Sequence, residues 1–258
     1  MSRLRASAPP EPASPELMLR KASLARTSFT RAKYAQRGLS HRGTLDRTTR
    51  TMLLRQLYLS HMEGRRFVDA LRVAEQMLEG AVMPDVARQD AARACLGLGD
   101  RDRATYHLRI ASRVSPPARR AFHLWTLGSV LFLNGQHREA AGALARAARW
   151  GTTDKPLYRA QLALARRAAG EAVSGLSAVR ERLEEAPCGQ GYGRFVLGAL
   201  AYELRDDAAA ERYLAAFVQR ATGGRVALEV ALAGEVAHAR RLLRRVRSRR
   251  RKSGPSRA

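Results

Sequence analysis

One motif recurs along the chain at nearly constant spacing, and it limits the possible folds more than any other feature. It is a short loop, often carrying glycine, with a small residue five or six positions on that opens an apolar-periodic segment. The copies are Gly64–Ala70, Gly99–Ala104, Gly135–Ala140, Gly170–Gly175, Arg205–Ala210 and Gly234–Ala239. The small residues fall at 70, 104, 140, 175, 210 and 239, with spacings of 34, 36, 35, 35 and 29. Four residues after five of them stand Ala74, Leu108, Leu144, Val179 and Leu214. Leu127-Gly128, Leu162-Ala163 and Leu197-Gly198 keep the same phase on the N-terminal side, and Pro116 and Pro187 keep it on the C-terminal side. A small residue lets two antiparallel helices cross closely, the glycine loop turns the chain, and the proline stops the second helix. Each pair would bury its apolar face only by stacking on its neighbours.

This pattern resembles the tetratricopeptide repeat (TPR) family, whose unit is about 34 residues. The resemblance covers residues 51–246 and implies an all-α fold, a right-handed α-solenoid of five to six helix-turn-helix repeats. The copies are degenerate: the large aromatic position is Leu54, Arg88, Leu124, Arg159 and Arg194. Residues 28–50 read as a helical cap or half-repeat with Ala32 as its small residue. Residues 1–27 read as a disordered, proline-rich basic tail, and 247–258 as a disordered arginine-rich tail. No run of β-branched residues suggests buried strands.

The net charge of +24 is concentrated at the two ends. Residues 1–50 carry eleven Lys/Arg against three Asp/Glu, and residues 240–258 carry ten against none. From Ala237 to Lys252 the chain begins as an amphipathic helix with Leu242, Leu243 and Val246 on one face, then becomes nearly pure arginine. Arg244, Arg245, Arg247, Arg249, Arg250, Arg251 and Lys252 are therefore candidates for non-specific nucleic-acid or polyanion binding. The two cysteines, Cys95 and Cys188, form no disulfide framework or metal knuckle, and the chain carries no signal-peptide or membrane-spanning run. These features predict a cytoplasmic location.

TPR resemblance implies that the first helix of each pair lines a concave groove that holds a protein or peptide partner. Projection by helical phase puts Arg55, Gln89, Arg93, Phe122, Trp125, Phe132, Arg167, Tyr192, Phe195 and Tyr202 on that face. Aromatic and arginine side chains dominate binding hot spots, so an apolar and acidic segment is the expected ligand. The same aromatics are equally good candidates for packing between repeats. Histidines 41, 61, 107, 123, 137 and 238 form no HExxH, and neither a CxxC pair nor GxSxG occurs. Cys188–Gly193 (CGQGYG) lacks the strand and spacing of a phosphate loop and reads as an inter-repeat loop. The expectation is a non-catalytic scaffold or adaptor with no cofactor and no metal. The alternative is a polyanion-binding protein that uses its arginine-rich ends.

Overall fold

The computed structural model describes residues 14–224 and 226–253. All of its regular secondary structure is helical. The α-helices are α1 (Pro15–Ser23), α2 (Ser28–Leu39), α3 (Arg47–Glu63), α4 (Phe67–Gly80), α5 (Pro84–Gly97), α6 (Arg101–Val114) and α7 (Pro117–Leu133). They continue with α8 (His137–Trp150), α9 (Lys155–Ala168), α10 (Leu176–Glu185), α11 (Gly193–Glu203), α12 (Asp207–Thr222), α13 (Val226–Ala231) and α14 (Ala233–Ser253). A 3₁₀ turn, Pro187–Gly189, separates α10 from α11. The chain divides into two compact units at Met83/Pro84, so the single array expected over 51–246 contains a boundary.

The repeat rests on one turn used five times. Arg65, Gly99, Gly135, Gly170 and Arg205 all have positive φ, between 55° and 87°. In each copy the amide of that residue donates to the carbonyl three residues back, and the next amide donates to the carbonyl five residues back. At Gly135 these bonds are Gly135 N to Phe132 O (3.1 Å) and Gln136 N to Leu131 O (2.9 Å). This is the Schellman closure, which satisfies the last carbonyls of one helix and reverses the chain into the next. In the first copy the left-handed residue is Arg65, whereas the neighbouring Gly64 keeps a negative φ.

After the turn, Ala70, Ala104, Ala140 and Ala210 are each the fourth residue of the second helix and are fully buried. The partner glycines explain the close crossings. A Cβ on Gly128 would stand 2.6 Å from Leu144 Cγ, and one on Gly198 would stand 2.5 Å from Leu214 Cγ. The fourth copy departs from this pattern. Gly175 is not a crossing residue but the left-handed cap of α10 (φ 68°), which starts late and buries only Leu176 and Leu183.

In the first unit, α1 and α2 pack as a helix pair, so Pro15–Ser23 is helical where a disordered tail was expected and Ser28–Leu39 is paired where a helical cap or half-repeat was expected. Ser14 Oγ accepts from Leu17 N (3.2 Å), Pro15 opens the helix, and Met18 and Ala22 bury one stripe. Ala35 is fully buried in α2, whereas Ala32 is half-buried. Residues 1–13, the rest of the expected tail, lie outside the described residues.

The second unit closes in an unexpected way. The motif Gly234–Ala239 is not a turn, because it lies inside α14. Val236, Ala239, Leu242, Leu243 and Val246 are buried, and α14 packs on α11 and α12. It runs in the direction of α11, with His238 beside Phe195 and Val246 clustered with Ala201. That is the position of a first helix, so α14 caps the unit where a second helix was expected. The arginine-rich segment is also helical through Ser253, which corrects the disordered reading of 247–253; residues 254–258 lie outside the described residues. No helix among the described residues is long and apolar enough to cross a membrane.

Candidate binding face on the first helices of the second unit

Two polar clusters sit on the first helices of this unit. Asp85, in the first turn of α5, is 1% exposed. Arg119 of α7 grips it with two bonds, Nε at 2.7 Å and Nη2 at 3.0 Å, and His123 Nε2 lies 3.0 Å away. Burial acts to raise the Asp85 carboxyl, but hydrogen bonds from Arg119 and His123 outweigh it and hold the group below its ordinary value. Burial keeps the His123 ring below its ordinary value against the pull of Asp85. The neutral ring donates from Nε2, which leaves Nδ1 as a buried acceptor. An ion pair of this kind orients α7 against α5 and adds little net stability.

The second cluster is a ladder across three repeats. Trp125 Nε1 donates to Gln161 Oε1 (2.7 Å), and Gln161 Nε2 donates to Ser129 Oγ (3.0 Å) and Tyr192 Oη (3.4 Å). The Tyr192 hydroxyl in turn donates to Glu235 Oε1 (3.3 Å). Burial raises Tyr192 well above its ordinary value and pushes Glu235 up to about 7. The rings of Trp125 and Tyr192 meet edge-on at 4.9 Å, a favoured aromatic arrangement.

The residues projected onto the groove separate by depth. Phe195 is 1% exposed and packs on Phe217 at 5.3 Å, so it belongs to the core. Phe132 and Gln89 are also buried, Phe132 partly under His238 of α14. Tyr202 is half-buried with the Arg249 guanidinium 4.2 Å over its ring. Arg167 is exposed and paired with Glu203. Arg55 lies on α3 of the first unit, half-buried. Tyr192 is half-buried within the ladder. Among these aromatics Phe122 is the exposed one, at 40%, with its ring 5.7 Å from half-buried Trp125; Arg93 is half-buried and lies 3.8 Å from Asp90.

Gln161 and Glu235 had no place in the projection, although each carried a signal. Gln161 is the one amide in the stretch Leu157–Ala165, and Glu235 is the one acid in residues 233–258. Among the candidate polyanion residues, Arg247 and Arg250 pair with Glu211 (3.0 and 2.6 Å) and Arg249 with Asp207. Arg244, Arg245, Arg251 and Lys252 are exposed.

A recess of about 140 Å³ is lined by Phe132, Leu164, Tyr202, His238 and Leu242 among others. That is below the several hundred Å³ of ordinary small-molecule sites. Among the described residues, no group of three His, Cys, Asp or Glu could hold a metal ion.

No protein-family model matches the chain, and no curated protein does. Among solved structures it is similar to a kinesin light chain protein of Podosopora anserina with nearly identical TPR-like repeats. The identity is 16% over 83% of this chain and 100% of that one, with a TM-score of 0.45. It is also similar to the TPR domain of P58(IPK), at 11% identity over 94% of this chain and 79% of that one, with a TM-score of 0.35. At those values the likenesses carry no argument. The helix-pair repeat rests on the chain itself, in its five equivalent turns and four equivalent buried alanines.

Proposed function

We propose that this chain is a non-catalytic scaffold that holds a protein or peptide segment against the first helices of its second unit. The observation that carries the reading is exposed Phe122 beside half-buried Trp125 and Arg93, contributed by neighbouring first helices and fixed from beneath. Trp125 is held by Gln161, and the helix bearing Phe122 is held to α5 through Asp85. Large, rigid side chains with an arginine beside them are favourable anchors because little entropy is lost when they are covered. An apolar segment with an acidic residue suits this set, a narrower target than the full-length groove expected from the sequence.

The test places a photo-crosslinking aromatic at Phe122 in the full chain, expressed in its source cells. The reading expects discrete protein adducts that disappear when Arg93→Glu is added. Crosslinking to nothing, or to the same proteins regardless of Arg93, refutes it.

A further inference from the structure

The outward side of α14 carries chemistry that the scaffold reading does not use. Its inward side is the buried stripe of Val236, Ala239, Leu242, Leu243 and Val246. On the other side Arg240, Arg241, Arg244, Arg245, Arg251 and Lys252 are all exposed, with exposed Ser248 between them. The steps 240, 244, 251 and 241, 245, 252 are four and seven residues, which keep each row on one side of a helix. At 1.5 Å per residue the double row is about 18 Å long, with a cation about every 6 Å where the step is four.

The remaining cations of the helix have a different task. Arg247, Arg249 and Arg250 are tied to Asp207 and Glu211 of α12, which fastens α14 to the fold. The helix therefore has three basic anchors and six basic groups facing outward. We infer that the outward row is a docking surface for the phosphate backbone of nucleic acid, bound without reading the bases.

Three points favour this occupant. Five of the six groups are guanidiniums, whose planar fork matches phosphate oxygens. About 18 Å of duplex axis carries about ten phosphate charges, enough to engage the whole row. A helix lying on a membrane needs its apolar face free to enter the lipid, and here that face is buried in the fold. Contacts to the phosphate backbone carry no sequence information, so sequence preference is absent.

The test uses the full chain and a fluorescein-labelled, mixed-sequence 20-base-pair duplex, with binding followed by anisotropy from 50 to 200 mM salt. Engagement of six phosphates gives a log-log salt slope of about −5 and an affinity loss of about 10³ across that range. Arg240→Gln/Arg244→Gln/Arg251→Gln should make the slope shallower by about 3, and R244Q alone by about 1. Removing the same charge from α8, as Arg138→Gln/Arg146→Gln/Arg149→Gln, should leave the slope near the parent value. A second duplex of unrelated sequence should bind equally. The inference is overturned by no binding at 50 mM salt, or by equal effects of the α14 and α8 variants. Tighter binding to polyglutamate or to phosphatidylserine vesicles than to the duplex also overturns it.

Discussion

Gly198 on α11 tests whether the repeat is held by close helix crossings or only by average hydrophobicity. An alanine Cβ there would lie 2.5 Å from Leu214 Cγ, 2.7 Å from its Cδ2 and 3.1 Å from its backbone nitrogen. Leu214 is fully buried and cannot swing into solvent, and the backbone contact means that α12 itself must shift. Overpacking of this kind costs about 1–3 kcal/mol, against about 1 kcal/mol returned by the better helix propensity of alanine. Gly198→Ala should therefore destabilise by about 1 kcal/mol. Gly142 on α8 is the control, since a Cβ there meets nothing within 4 Å. The same substitution at 142 should stabilise by about 1 kcal/mol. Urea unfolding followed by circular dichroism reads the midpoints, with the slope checked for constancy. Adding Leu214→Ala to Gly198→Ala should recover part of the loss as a coupling of about 1 kcal/mol. If Gly198→Ala stabilises as Gly142→Ala does, or the pair shows no coupling, close crossing is not what holds these helices.

Three further outcomes follow from particular side chains. Phe195→Ala should cost about 3–5 kcal/mol in thermal or urea unfolding, as expected for a core ring; an unchanged midpoint would place the ring in the open. Burial raises Glu235 from 4.5 to about 7, so its contribution is intact below about pH 4.5 and lost as pH rises through 7. Glu235→Gln should remove that alkaline decline, adding up to about 3 kcal/mol at pH 8, and should leave the acid decline from His238 in place. Burial and the nearby Arg241 and Arg245 hold His238 down to about 4, so its stabilising contribution is lost as pH falls from 6.5 toward 4. Arg205→Gly should raise the urea midpoint by the equivalent of about 0.5–1 kcal/mol, because Arg205 occupies a left-handed turn position where glycine is unstrained. A fall instead would mean that the guanidinium contributes more than the backbone strain costs.

The second helices were legible in the sequence because a crossing alanine and a left-handed turn each tolerate few residue types. Ala70, Ala104, Ala140 and Ala210 consequently appear at matching helical positions. Gly175 satisfied the same pattern for a different reason, since its missing Cβ serves a cap and not a crossing. The candidate site was less legible because helical phase gives direction but not depth. Along α11, Phe195 through Ala201 are all buried, so no polar side marks which face is open. Arginine content obscured α14 in a similar way. Its charges suggested a solvated tail, whereas its apolar stripe and the carboxylates of α12 make it a packed element. Glu235 could be interpreted only once α14 was seen to bring it against Tyr192.

The placement of α14 also bears on self-association. A helix-pair array has a stacking face at each end, and such a face is complementary to the next unit of its own kind. Left bare, it invites a second molecule head to tail, a contact that does not close and so propagates into filaments. In this chain the apolar surface of α11 and α12 is covered by a helix whose outer side is a row of cations. Any copy that approaches that end meets a row of cations instead of a complementary apolar face, so polymerisation is opposed there.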